Sequence, residues 1–227
     1  MTRGISRKNL KHDEFVEKAG EAGHWLEEHW RTAAIVGGAV LLVVLGYALW
    51  SWNAARGRAA AETALASGLA HYGLAEKAGF TASGELDSAL ADLTTAAERG
   101  GGGAVGETAR YFRAATLYRL GRSEEAVPLL ERTIGSSSAT MTLRGSATRL
   151  LATVYAQTDR VDEAVALLDD AISAEAPVVP PALALLQLGR IERGAGREDD
   201  ARQTFQRLLD DYPQSAPAQE AQRLLGS

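Results

Sequence analysis

The chain has 227 residues, of which 46% are hydrophobic and 23% are charged, so it can form one core with an appendage and is neither disordered nor collagenous. It contains no cysteine, which excludes disulfides, thiolate zinc sites, iron–sulfur clusters and cysteine nucleophiles. Its net charge of −5 argues against sequence-independent binding of nucleic acid.

The first 32 residues form a basic tail with one amphipathic pattern. Apolar residues recur there at intervals of three or four, at Phe15, Ala19, Ala22, Leu26 and Trp30. This spacing predicts a helix whose apolar stripe lies in the headgroup region of a membrane. His24 and Glu28 stand four residues apart, a spacing at which two side chains could bind a metal. A simpler interpretation is that both are polar residues on the solvent-facing side of this helix. We predict no metal, cofactor or small-molecule substrate for the chain.

An uncharged segment follows the tail. Residues 33–52 read AAIVGGAVLLVVLGYALWSW, with Arg31 before them and Arg56 as the next charged residue. Twenty helical residues span about 30 Å, the thickness of the hydrocarbon core of a bilayer. A buried core helix and a cleaved signal peptide are the alternatives, but signal peptides have apolar runs of about 7–15 residues behind a short leader. The pattern therefore predicts a retained transmembrane helix that contacts lipid.

The distribution of basic residues predicts the orientation of this helix. Residues 1–32 carry six Lys or Arg residues, whereas the twenty residues after Trp52 carry two. Positive charge stays on the cytoplasmic side, and long domains cross largely regardless of charge. We expect a cytoplasmic tail in residues 1–32, a transmembrane helix in residues 33–52 and a domain outside the cytoplasm in residues 53–227. The inverted topology is the alternative.

An internal repeat is the strongest pattern in residues 53–227. Four segments read SGELDSALADLTTAA, LGRSEEAVPLLERTI, TDRVDEAVALLDDAI and AGREDDARQTFQRLL. Each holds a turn residue, a small residue five positions later and a large apolar residue four beyond that. In order, these are Gly84, Ala89 and Leu93; Gly121, Ala126 and Leu130; Asp159, Ala164 and Leu168; and Gly196, Ala201 and Phe205. Gly and Asp tolerate positive φ, so they suit a tight turn between antiparallel helices, and Ala permits their close approach.

A second amphipathic helix precedes each of the last three turns, and the last of these helices begins at Pro181, where a missing N–H has no partner. Helix–turn–helix units with a period near 34 are typical of tetratricopeptide repeats. The fold class is therefore all-α: one N-terminal transmembrane helix followed by a solenoid of about four helical hairpins. The first repeat lacks a separate first helix, and a long Ala-rich helix continuing from the membrane stands in its place. SAPAQEAQRLLGS predicts a terminal helix that caps the solenoid.

Side chains on the first helix of each hairpin are candidates for contacts with a bound peptide. They are Tyr111, Tyr118, Arg119, Arg149, Thr153, Gln157, Leu186, Arg190 and Arg193. Aromatic rings and arginines suit the apolar side chains, carbonyls and carboxylates of a peptide, although exposed helix positions without a ligand are the alternative. No pattern supports catalysis, because residues 53–227 contain only one histidine, His71, and no nucleophile motif surrounds it. We therefore predict a protein that is not an enzyme.

The whole layout resembles one bacterial family. A tail with KHDEFVEKAG and WLEEHW, one apolar segment, an Ala-rich helix and tetratricopeptide repeats follow one another as in the YfgM-like ancillary subunits of the SecYEG translocon. The resemblance implies a single-pass inner-membrane protein whose periplasmic repeats act as a scaffold or chaperone. The implied partners are translocon subunits, periplasmic chaperones or emerging substrate chains. The ending DDYPQSAPAQEA resembles instead envelope repeat proteins of cell division and outer-membrane assembly, which makes a scaffold of that kind the alternative.

Overall fold

The computed structural model describes residues 30–226, and the amphipathic helix predicted for the tail, with His24 and Glu28, lies outside them. The chain divides into two units, one ending at Ala55 and one beginning at Arg56. Within the described residues there are nine helices and no strands. They are α1 (Trp30–Lys77), α2 (Ser83–Gly100), α3 (Ala104–Arg119), α4 (Ser123–Gly135), α5 (Met141–Gln157), α6 (Val161–Ser173), α7 (Pro181–Gly194), α8 (Glu198–Asp211) and α9 (Ala216–Leu225). The all-α prediction is confirmed, and α7 begins at Pro181 as expected.

The described part of the first unit is an apolar helix whose side chains are exposed. The large side chains of α1 before Ala55 are exposed, Leu42 and Val43 each by 71%. Among the described helices, α1 alone is long and apolar enough to cross a membrane, as judged by length and composition, and no residue of its most apolar window is buried. Large apolar surface left uncovered in this way marks a contact with lipid or another protein.

The second unit is a stack of helical hairpins. From α2 onward, helices adjacent in sequence pack against each other, and the first helices of neighbouring hairpins also meet, α3 against α5 and α5 against α7. The end of α1 completes the first hairpin, because the Ser67 hydroxyl donates to Asp92 of α2 at 2.6 Å. A Cβ on Gly68 would lie 2.7 Å from Leu93 Cγ, so the two helices approach closely there. The Ala-rich helix therefore serves as the first helix of the first repeat.

The repeated positions form the core. The small residues Ala89, Ala126, Ala164 and Ala201 and the large residues Leu93, Leu130, Leu168 and Phe205 are all at most 1% exposed. A methyl group lets the second helix of a hairpin approach the first, and the larger side chain one turn later fills the space between them. The predicted register is therefore confirmed in every repeat. At the C-terminal end α9 packs on α7 and α8 and buries Ala218 and Ala221 against Phe205 and its neighbours.

Three of the four predicted turn residues have the expected backbone. The φ angles are 75° at Gly121, 61° at Asp159 and 76° at Gly196, all in the left-handed region that glycine and aspartate tolerate. The prediction for Gly84 was wrong. In the first hairpin α2 begins one turn earlier in the repeat, so Gly84 lies inside the helix. There the positive φ angles belong to Gly79 and Phe80.

A buried ion pair holds the connection between the first two hairpins. Glu107 and Arg110 of α3 contact each other with side chains only 4% and 6% exposed. Arg110 Nη2 also donates to the carbonyl of Gly101 at 3.3 Å. A Cβ on Gly100 would lie 2.7 Å from the backbone nitrogen of Gly106, so only glycine allows the backbones to approach this closely. The turn that follows Gly100 is thus tightly packed, and Arg110 of the ion pair holds the carbonyl of Gly101 in this turn.

One carboxyl group is buried in the packing between α7 and α8. Glu192 is 7% exposed. Burial raises the pKa of Glu192, a hydrogen bond from the Thr204 hydroxyl opposes this, and the carboxylates of Asp200 and Asp169 raise the pKa further. The folded protein therefore favours the protonated form of Glu192 more than an exposed glutamate would.

Candidate functional site

The first helices of the last two full hairpins enclose a cavity of about 1010 Å³. Leu150, Leu183 and Ile191 contribute apolar surface to it, and Arg149, Gln187 and other polar side chains surround that surface. Cavities of this size that combine apolar walls with a few convergent polar groups are typical binding sites.

Hydrogen bonds between hairpins fix the walls of this cavity. The Gln187 amide of α7 donates to the carbonyl of Arg149 at 2.6 Å and to Thr153 Oγ1 at 3.0 Å. Arg149 Nε donates back to Gln187 Oε1 at 3.2 Å. Gln157 of α5 donates to the Tyr118 hydroxyl of α3 at 2.8 Å. These side chains set the spacing of neighbouring hairpins, so part of their hydrogen-bonding capacity is used inside the protein.

The charges around the cavity are partly neutralised within the chain. Arg190 pairs with Glu220 of the terminal helix, and Arg197 pairs with Asp162 at 2.6 Å. In the described part of the chain Arg149 forms no ion pair, and its guanidinium Nη atoms remain available for a ligand. Arginine recognises carbonyl and carboxylate oxygens well because its planar guanidinium presents several donors.

A second, smaller cavity of about 580 Å³ adjoins the first, and the two share Tyr111 and Ser146. We call the two cavities together the groove. The smaller cavity lies between the end of α1, α3 and the start of α5, and the rings of Tyr72, Tyr111 and Phe112 line it. The Tyr72 and Phe112 ring centroids are 5.5 Å apart, and those of Tyr111 and Phe112 are 5.1 Å apart, both edge to face. This end of the groove is therefore aromatic, whereas the larger cavity at the other end combines apolar walls with polar and charged side chains.

Both tyrosines of the aromatic end stay neutral. Burial raises the pKa of Tyr72, and a hydrogen bond from Arg119 opposes this effect. Burial also raises the pKa of Tyr111, against the opposing effect of its hydrogen bond with Ser146. Raising an ordinary tyrosine pKa near 10 leaves the phenol uncharged at physiological pH. The two rings thus present uncharged aromatic faces and hydroxyl groups to a ligand.

The structure brings six of the nine predicted contact residues to the larger cavity. They are Tyr111, Arg149, Thr153, Gln157, Leu186 and Arg190. The other three lie elsewhere. Tyr118 accepts the hydrogen bond from Gln157, and Arg119 lies over the Phe80 ring with its Cζ atom 4.0 Å from the ring centroid. Arg193 turns towards the terminal helix, where it donates to the carbonyl of Leu224 at 3.1 Å.

Sequence reasoning missed Tyr72 and Gln187, although the repeat itself carried a signal for them. Tyr111, Arg149 and Gln187 stand 38 residues apart, and Tyr72 lies 39 residues before Tyr111. The same register in successive hairpins places these four side chains along one line of the groove.

His71 is held in a polar cluster between α1 and α2 rather than in a catalytic arrangement. Its Nδ1 lies 2.7 Å from Glu85 Oε2, and its Nε2 lies 4.0 Å from Asp92 Oδ2. The Ser67 hydroxyl donates to Asp92 and not to the imidazole, so His71 is not placed to activate this hydroxyl as a general base. The two carboxylates face opposite ring nitrogens, and the described residues contain no group of three or more His, Cys, Asp or Glu side chains placed to bind a metal.

Repeated antiparallel helix pairs with a groove along their first helices define a helical-hairpin solenoid. The tetratricopeptide repeat family matches residues 80–139 and 149–216, more than half of the chain, so the protein belongs to this family. Its members are typically non-enzymatic scaffolds for protein–protein interaction. Comparison with curated protein sequences gives no match.

Proposed function

We propose that the protein is a membrane-anchored scaffold or chaperone that binds other polypeptides in its groove and does not transform them. The observation that carries this proposal is the larger cavity, with the apolar side chains of Leu150, Leu183 and Ile191 beside the Arg149 guanidinium. Apolar surface binds the side chains of an extended or helical segment, and a guanidinium with free N–H groups binds its carbonyl or carboxylate oxygens. Polypeptide partners therefore suit the groove better than a small molecule.

The anchoring part of the proposal concerns residues 33–52. We place this segment in a bacterial inner membrane, with residues 1–32 in the cytoplasm and the repeat domain, residues 53–227, in the periplasm. Two features support this arrangement: the exposed apolar side chains of α1, and the excess of basic residues before the segment.

The proposed partners are subunits of the protein-secretion translocon, periplasmic chaperones and chains emerging from the translocon. The resemblance of the tail, the apolar segment and the repeats to YfgM-like subunits supports this choice. The ending DDYPQSAPAQEA supports a second candidate, a scaffold of envelope assembly or cell division. Both candidates use the same groove and the same membrane anchor, so the captured partner distinguishes them.

Photo-crosslinking in intact membranes tests the binding function and the partner together. A crosslinking amino acid replaces Tyr111 or Arg149 in the groove, and the same amino acid replaces the exposed Arg132 on α4 as a matched control. We expect translocon subunits or secreted chains to be captured at the two groove positions and not at residue 132. Capture of division or cell-wall proteins alone would favour the second candidate. Equal capture at all three positions would contradict binding in the groove.

The topology is tested with introduced thiols, because the chain has no cysteine of its own. Ser6→Cys marks the tail and Ser137→Cys marks an exposed position of the repeats. In spheroplasts, a maleimide that cannot cross membranes should label residue 137, and residue 6 should react only after the membrane is opened. The opposite pattern would establish the inverted topology.

A further inference from the structure

The smaller cavity of the groove has an unusual combination of side chains. Three aromatic rings, those of Tyr72, Tyr111 and Phe112, line it, together with one charged side chain, Glu76. No Lys or Arg belongs to its lining. The Glu76 carboxylate is exposed and forms no ion pair within the described residues, unlike Asp162 and Glu220 in the larger cavity, which are paired with arginines.

Aromatic faces beside an unpaired carboxylate are suited to binding a cation. The negative face of an aromatic ring attracts an ammonium or guanidinium group, and a nearby carboxylate adds a direct charge attraction. The same aromatic cluster already holds one such group from the chain itself, since the guanidinium of Arg119 lies 4.0 Å from the centroid of the Phe80 ring, which in turn packs on Tyr72. Arg119 lies outside the lining of the cavity, and no residue of the lining carries a positive charge that would neutralise Glu76.

We propose that the smaller cavity binds a lysine or arginine side chain of the polypeptide in the groove, with the cation against the rings of Tyr72, Tyr111 and Phe112 and beside the Glu76 carboxylate. This inference rests on the proposed binding function and specifies the ligand at one end of the groove. Because the two cavities share Tyr111 and Ser146, the neighbouring residues of the same polypeptide enter the larger cavity. The groove then selects segments in which a basic residue adjoins apolar ones.

The test uses the full chain in detergent micelles and a phage library of short random peptides. Peptides recovered on the wild-type protein should be enriched in Lys or Arg relative to the input library. A recovered peptide should bind about 2- to 30-fold more weakly when citrulline replaces its arginine, the range expected for a cation–π contact. Glu76→Gln should cause a loss of similar size, whereas Glu62→Gln, at an exposed position of the same helix, should cause none.

Separate results would overturn this inference and the function on which it rests. If peptides are recovered without enrichment in Lys or Arg, or bind equally well with citrulline, the cation site is refuted while the binding function stands. If the wild-type groove recovers no more peptides than a variant with Leu183→Arg, the binding function fails, and the cation site fails with it. Tyr72→Phe keeps the aromatic ring and should keep the preference for peptides with Lys or Arg. Tyr72→Leu removes the ring and should lose this preference. The result for Tyr72→Leu counts only if the helical circular dichroism of the variant matches that of the wild type.

Discussion

The contact between Gly189 and Phe205 gives the sharpest test of the packing between hairpin helices. A Cβ on residue 189 would lie 2.5 Å from Phe205 Cε1 and 2.8 Å from its Cδ1, whereas carbon atoms in contact normally stand about 3.5–4.0 Å apart. The ring is 1% exposed and lies in a cluster with Leu185, Leu208 and Ala218, so it has little space into which it can move. Gly189→Ala should therefore force the two helices apart.

The expected loss of stability follows from two opposing effects. Overpacking a filled core costs about 1–3 kcal/mol, and alanine in a helix interior gains about 1 kcal/mol over glycine. Because the Phe205 ring is enclosed, we expect the clash to dominate, with a net loss of about 1–2 kcal/mol in the free energy of unfolding. In a domain of this size that loss lowers the melting temperature by about 2–8 °C.

Thermal unfolding of the full chain in detergent, followed by circular dichroism, measures this effect. Gly73→Ala is the control, because a Cβ there meets nothing within 4 Å, and it should raise or keep the stability. Repeats unfold with their nearest neighbours, so faster hydrogen exchange in Gly189→Ala should be concentrated in α7, α8 and α9. Adding Phe205→Leu should relieve the clash, so the double variant should be more stable than the sum of the two single effects. An unchanged melting temperature for Gly189→Ala, or strictly additive effects, would refute this account.

Three further predictions concern buried charge and backbone conformation. The pKa of Glu192 is raised in the folded state, so as pH rises the unfolded chain loses this proton before the folded protein does. The free energy of unfolding therefore falls as pH rises from the ordinary pKa of 4.5 through the raised pKa of the folded state. Glu192→Gln should remove that fall and be more stable than wild type in urea unfolding at neutral pH; the same pH dependence in both proteins would contradict this. Glu107→Gln leaves Arg110 buried without its counterion and should lower the free energy of unfolding by about 3–5 kcal/mol, and a loss well below 1 kcal/mol would show that the pair is solvated. Asp159 has a φ of 61°, so Asp159→Gly should keep or raise the melting temperature. Asp159→Ile should lower the free energy of unfolding by about 1–2 kcal/mol. Equal melting temperatures for the two variants would be inconsistent with a left-handed turn.

Residues with a regular period were predictable from sequence, whereas side-chain partners were not. Leu93, Leu130, Leu168 and Phe205 could be assigned to the core because each stands four positions after a small residue in every repeat, and one buried face imposes that spacing. Gly84 had the same register but a different conformation, since the helix of the first repeat begins one turn earlier. A register therefore fixes which face is buried and leaves the ends of a helix undetermined.

The groove residues show the same contrast: the sequence predicts which helix carries a side chain but not which partner that side chain contacts. The sequence placed Tyr118 and Arg193 among the candidate contacts because both lie on first helices. In the structure Tyr118 accepts a hydrogen bond from Gln157, and Arg193 binds the carbonyl of Leu224. Each of these partners lies more than 30 residues away in the chain, so no local pattern encodes the contact.

The amino-acid sequence by itself determined the helical repeat, its buried register and the uncharged segment long enough to span a bilayer, because each depends on periodicity or composition along the chain. Only the tertiary structure decided that the groove has an aromatic end beside Glu76 and, beside Arg149, an end that combines apolar and polar side chains. It also decided that Arg190 and Arg197 are neutralised while Arg149 is not. The physical reason is that hydrogen bonds and ion pairs join side chains from different hairpins, and their geometry exists only once those hairpins have packed.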